Sequence, residues 1–215
     1  MIDKTRLSEN IRTLKTHLPA GMGYRIVAKS LPSIDLISFI RDLSGTDRLM
    51  TFNQPMLSKL SVDMPEASQL LGKPLPVRAA QHYFETLPAA SAPAADNVEW
   101  LIDTPARLQQ YTSLASNIER PLKLVLELDV GLHRGGFTPG PELGAAIEAI
   151  EAAPNLTESG GLACPVILTN HPANNLLATS SFIKEGQLLS CTCACRNISQ
   201  RLQFTFAVQI SCDWL

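Results

Sequence analysis

Leu122, Leu124, Leu126 and Leu128 alternate with Lys123, Val125, Glu127 and Asp129. A period of two marks a β-strand, with the leucines on one face and the polar set on the other. Two arrangements accept such a strand. In an antiparallel sheet the polar face meets water; in a parallel barrel the leucines pack on outer helices and the polar set looks inward. Successive βα units favour the barrel. Up to Thr157 short β-rich runs alternate with helical stretches, as in a parallel α/β fold. Strands are expected near 24–28, 48–52, 98–102 and 122–128, with a shorter one at 69–72. Helical patterns lie between them: Ser33 as a cap before Ile34, Leu36, Ile37 and Ile40, then 54–60, 76–87, Thr104-Pro105 leading into 108–115, and 141–152. The Pro-, Ala- and Ser-rich stretch 87–95 reads as a surface loop between units.

In such barrels the carboxyl ends of the strands carry the chemistry, and two of those ends are unusual. Arg25-Ile26-Val27-Ala28-Lys29 runs into Ser30-Leu31-Pro32-Ser33. An amine at the end of a buried strand loses hydration, which favours a neutral nucleophile able to form an imine with an aldehyde. A rim lysine with a snorkelling stem fits the same residues. The second end is Asp129-Val130-Gly131-Leu132-His133-Arg134-Gly135-Gly136-Phe137. Its glycines allow close backbone approach to a ring-shaped ligand while Arg134 offers a planar donor; a loop with an exposed arginine is the plain alternative. The glycine spacing is not that of a dinucleotide fingerprint, and no Gly-Lys-Ser/Thr phosphate loop is present. His133 reads as an exposed loop histidine, and His17, His82 and His171 have no evident partners.

Taken together, Ile26-Val27-Ala28-Lys29-Ser30 and Glu127-Leu128-Asp129-Val130-Gly131-Leu132-His133-Arg134-Gly135-Gly136 resemble the pyridoxal-phosphate enzymes of fold type III. The chain is similar in particular to the D-threonine aldolase and D-serine dehydratase branch, whose N-terminal barrel is related to that of alanine racemase. Leu70-Leu71-Gly72-Lys73-Pro74-Leu75-Pro76-Val77 and Trp100-Leu101-Ile102-Asp103-Thr104-Pro105 carry the same likeness, which spans roughly residues 1–157. The resemblance implies a (β/α)8 TIM-type barrel of the alanine racemase N-terminal kind, partial here and cut before the C-terminal β-domain. It implies that Lys29 forms an aldimine with pyridoxal 5'-phosphate and that Arg134 approaches the cofactor's phenolic oxygen. Lys29, once released, would be the proton-transfer base. The substrate implied is a small (D-)amino acid, undergoing aldol cleavage, racemisation or dehydration. Family members form dimers, and the branch uses a divalent metal whose ligands sit in the C-terminal domain, so no metal residues are assigned here.

Composition divides the chain near residue 158. All five cysteines, Cys164, Cys191, Cys193, Cys195 and Cys212, follow Gly161, and charge thins to Lys184, Glu185, Arg196, Arg201 and Asp213. The spacing of Cys191, Cys193 and Cys195 does not suit a zinc hook, and an odd cysteine count without a signal peptide argues against a disulfide framework. Residues 1–157 are thus read as the barrel part and 158–215 as an atypical Cys-rich tail, possibly translated out of frame, which would leave about five strands with open edges and an inactive protein. A non-enzymatic pyridoxal-phosphate carrier on a related barrel is the competing reading, and a cofactor-free α/β domain the third. The formal net charge of −2 with 18% charged residues gives no electrostatic reason to expect nucleic acid or anionic membrane. No apolar run is long enough to span a bilayer, and a cytoplasmic protein is expected.

Overall fold

The structure is a computed structural model that describes residues 2–18, 24–29, 32–129, 135–138, 140–163 and 207–208. Its strands are β1 (Arg25–Val27), β2 (Arg48–Thr51), β3 (Ser68–Leu71), β4 (Val98–Ile102), β5 (Leu122–Leu128), β6 (Leu156–Ala163) and β7 (Ala207–Val208). They form one sheet in the order β6-β5-β4-β3-β2-β1-β7, and every pairing is parallel. The helices are α1 (Lys4–His17), α2 (Ile34–Ser44), α3 (Gln54–Asp63), α4 (Val77–Thr86), α5 (Pro105–Asn117) and α6 (Pro141–Ala152). Sequential parallel neighbours joined by helices are the βα succession expected from the sequence.

Local chemistry sets the helix starts. Ser33, Asn53 and Thr104 are N-caps whose side-chain oxygens accept from Leu36 N, Met56 N and Arg107 N, each satisfying a donor the first helical turn leaves open. Pro105 and Pro141 follow their caps at positions where the absent N–H costs nothing. Gly45 ends α2 in the left-handed conformation, φ 71°, with its N–H donating to Arg41 O.

Register separates the two faces of the sheet. Trp100 pairs with Leu124 and Ile102 with Leu126, whereas Glu99 pairs with Lys123 and Leu101 with Val125. Trp100 lies on the helix-facing side, its ring 5.7 Å from Tyr83 of α4 and 5.7 Å from Tyr111 of α5. Leu124 and Leu126 therefore share the helix-facing side, and both are fully buried. Each such leucine contributes about 1.5–3 kcal/mol. The other face carries Val27, Met50, Leu70, Leu101 and Val125 along its middle. Glu127 on that face is buried at 3% exposure, which agrees with an inward-looking polar set; Lys123, at the amino end, is exposed.

Three features depart from the sequence expectation. The stretch read as a surface loop is a 3-10 helix, Ala89–Asn97, with Ser91, Ala94 and Ala95 buried; small side chains let its backbone settle against the core. Helix α1 had no counterpart in the reading, although Asp3 caps it and Leu7 and Ile11 bury its apolar side. The sheet also continues beyond residue 157. β6 pairs with β5 as far as Leu128↔Ala163, with an irregularity between Leu124 and Val125, and β7 pairs with the outer edge of β1 through Arg25↔Ala207 and Ile26↔Val208. Among the described residues, seven strands rather than about five are joined, and β1 is not an open edge.

Candidate functional site

The carboxyl ends of β1 to β5 place Lys29, Phe52, Gly72, Asp103 and Asp129 at one mouth of the sheet. Ala28 N still donates to Met50 O at 2.9 Å, so the ladder holds the backbone up to the residue before Lys29. Lys29 is exposed, which corrects the expectation of an amine stripped of water and agrees with a lysine at the rim. Its Nζ stands over the Phe52 ring, 4.5 Å from the centroid. No carboxylate pairs with it among the described residues.

Phe52 is itself fixed on several sides. Thr51 before it ends β2, and Asn53 after it caps α3. Gly72 N donates to Thr51 O at 2.8 Å, which brings the β3 end alongside. A Cβ at Gly72 would overlap the Phe52 ring and stand 2.8 Å from the Met50 sulfur. Glycine is the residue that leaves room for the ring there.

The glycine-rich loop returns to the end of β5. Phe137 N donates to Glu127 O at 2.7 Å and Asp129 N donates to Phe137 O at 3.0 Å, with Phe137 fully buried. Gly136 has φ 104°, and a Cβ there would lie 2.9 Å from both Asp129 N and Glu127 O. Gly135 sits beside Asp103, whose Oδ2 would be 3.8 Å from an added Cβ. Asp103 Oδ1 in turn accepts from Thr104 Oγ1 and lies 4.0 Å from Arg107 Nε. The closure of the loop is thus shown at both ends. Arg134 and His133 lie outside the described residues, as do His171 and the five cysteines. His17 contacts its own helix through Thr13 O, and His82 is exposed on α4.

Sequence reasoning missed a second polar constellation, at the opposite end of the same face. Arg25 Nη2 donates to both carboxylate oxygens of Glu99 at 2.9 Å, while Nη1 donates to Ser68 Oγ at 2.9 Å and Leu49 O at 3.3 Å. Arg25 is 3% exposed. Desolvation lowers its pKa, and the attraction and hydrogen bonds of Glu99 work against that lowering. Charged residues at inward strand positions were the available signal, but their pairing depends on a register that spans β1, β3 and β4. Four residues at about 3.3 Å each put Arg25 roughly 13 Å from Lys29. An open hollow of about 610 Å3 lies near that end too, edged by Asp35, Asp42, Asp47, Asp63, Glu66 and Arg41. Asp47 precedes β2 and Glu66 precedes β3, so those edges of the hollow lie at the amino end of the sheet.

The family description of the alanine racemase N-terminal domain matches residues 2–201. The chain belongs to the alanine racemase N-terminal domain family. The match runs beyond residue 157, to which the motif likeness extends, and takes in β6. Solved structures show the same fold. D-threo-3-hydroxyaspartate dehydratase from Delftia sp. HT23 gives a TM-score of 0.73 at 14% identity, over 100% of this chain and 60% of that one. An alanine racemase from Clostridium difficile 630 gives 0.67 at 11% identity, over 94% and 52%. A histidine racemase from Leuconostoc mesenteroides subsp. sake gives 0.66 at 14%, over 95% and 50%. The chain thus spans about half the length of these racemases. No curated protein sequence matches it. Among the described residues, no helix is long and apolar enough to cross a membrane, and no group of His, Cys, Asp or Glu could hold a metal ion.

Proposed function

We propose that this alanine racemase N-terminal-type domain binds pyridoxal 5'-phosphate through Lys29 and serves chemistry at the Cα of a small (D-)amino acid. The observation that carries the reading is the position of Lys29: an exposed primary amine at the carboxyl end of β1, touching a ring and no carboxylate among the described residues. That is what attachment of a carbonyl group requires, because an amine locked in an ion pair would first have to be released. When bound, the cofactor supplies a conjugated sink for electron density at Cα.

The chain's own residues do the rest. Lys29 Nζ holds the cofactor and, when freed, moves a proton at Cα. Phe52 closes one side of the amine's surroundings, and the backbone of the loop pinned by Phe137 brings Gly135 and Gly136 to the same mouth. Arg134 is proposed, on the family resemblance, to meet the phenolic oxygen. Racemisation, dehydration and aldol cleavage all begin with a bond broken at Cα, so the proposal covers this set rather than one member. A dimer and a divalent metal belong to the proposal only through the family.

The test is direct. Purified protein mixed with pyridoxal phosphate is expected to show the absorption of a lysine imine; borohydride should fix the label, and peptide mass mapping should place it on Lys29. Lys29→Ala should abolish both. Unchanged labelling in that variant, or a label on another lysine, would overturn the assignment. Amino acids of both configurations are then screened for racemised or deaminated product; labelling without turnover would favour the carrier.

A further inference from the structure

Lys29 is flexible by nature, with a long stem and an exposed head, yet its Nζ stands over one ring face. That ring is half-buried and bounded by its neighbours. Its backbone lies between the last residue of β2 and the cap of α3, and Gly72 N ties the adjoining strand to Thr51 O. The Gly72 Cα borders the ring so closely that no side chain fits between them. Three residues from three successive βα units therefore form one device.

We infer that Phe52 is the positioning residue for the Lys29 amine and that Gly72 is the seat of its ring. The inference rests on the Lys29 reading above and deepens it. A cation over an aromatic face is attracted by the ring's negative quadrupole. The attraction narrows the arc Nζ sweeps and holds the amine in the mouth formed by the ends of β1, β2 and β3. Attachment of a carbonyl ligand immobilises the lysine stem, and a stem already confined loses less freedom on binding. The pair therefore favours ligands that approach along the free side of Nζ, opposite the ring.

Two readouts test this, and the first needs no cofactor. Reductive methylation with isotope-labelled methyl groups gives each lysine an NMR signal, and Lys29→Arg identifies the one from Lys29. The ring current of Phe52 should move that signal upfield. Phe52→Leu, which keeps an apolar side chain but removes the π face, should return it to the position of the other exposed lysines; Phe52→Tyr should keep the shift. The second readout is affinity for pyridoxal phosphate, expected to weaken about two- to fivefold in Phe52→Leu and to recover in Phe52→Tyr. Gly72→Ala, whose added methyl pushes on the Phe52 ring, should reproduce the Phe52→Leu result in both readouts with the Lys29 and Phe52 side chains themselves unchanged. Circular dichroism confirms that each variant is folded. An unshifted Lys29 signal in the parent, or a Phe52→Leu variant equal to the parent in both readouts, would overturn the inference. Equal loss in Phe52→Leu and Phe52→Tyr would also do so, since that points to packing. A shifted Lys29 signal in a protein that takes up no pyridoxal phosphate would support the positioning role while removing the proposed function.

Discussion

Strand β1 carries a cation at each end of the inner face of the sheet, and the two are treated in opposite ways. At the amino end Arg25 is buried and its guanidinium is held by Glu99, Ser68 and a backbone carbonyl. At the carboxyl end Lys29 is exposed and rests on Phe52. A buried charge must be matched closely or the desolvation penalty is not offset, so Arg25 is committed to structure. An exposed amine over a ring carries no such penalty and is not committed in that way. The same strand thus supplies a pin four residues before it supplies the lysine proposed to react.

The largest test of this contrast is Glu99→Ala. It leaves Arg25 buried without its carboxylate and is expected to cost about 3–5 kcal/mol, read as a lowered midpoint in urea unfolding. A loss under about 1 kcal/mol would mean that water or Ser68 replaces the carboxylate, and the pin would be no pin. Next comes Gly72→Ala, where the added methyl meets the Phe52 ring and the Met50 sulfur. Overpacking of this kind costs about 1–3 kcal/mol, and a neutral result in the same assay would show that the ring moves easily.

The helix-facing side sharpens the contrast through pH. Burial pushes the Tyr83 and Tyr111 hydroxyls above the usual tyrosine range, with the Ser61 hydrogen bond opposing the shift at Tyr83. A group whose pKa is raised on folding supports the fold below its unfolded pKa and loses that support as pH rises toward the folded value. Stability should fall above about pH 10 by up to about 1.4 kcal/mol per pH unit for each tyrosine. Tyr83→Phe and Tyr111→Phe should flatten the decline, as seen by denaturation at stepped alkaline pH. The smallest effect belongs to Lys29→Ala, which removes one exposed cation–ring contact. It should change stability by about 1 kcal/mol or less while removing cofactor labelling. A loss comparable to that of Glu99→Ala would make Lys29 structural.

Much of this was legible beforehand for a physical reason. Period-two leucines at 122–128, a capped start at Thr104-Pro105 and a capped start at Ser33 are local signals, set by side chains within a few residues. They located β1 to β5 and their helices. The 3-10 helix Ala89–Asn97 escaped because small residues with prolines read as a loop whether or not they bury. β6 escaped because its Ser159-Gly160-Gly161 stretch has no β signature; pairing with β5, not propensity, makes it a strand. Lys29 was found from its place at the end of a strand, but the expected loss of hydration was not, because exposure depends on what the neighbouring βα loops leave uncovered.

The sequence by itself determined the parallel βα succession, the strand end that bears Lys29 and the family to which the chain belongs. Tertiary structure alone decided which charges meet. Arg25 and Glu99 are 74 positions apart, and Arg25 and Ser68 are 43 apart; only the register through β2, β3 and β4 brings them together. Phe52 reaches Lys29, and Gly72 yields to Phe52, for the same reason. Side-chain periodicity is a short-range property of the chain, whereas the alignment of strand ends is fixed by hydrogen-bond ladders between segments distant in sequence, and the mouth that bears Lys29 is a product of that alignment.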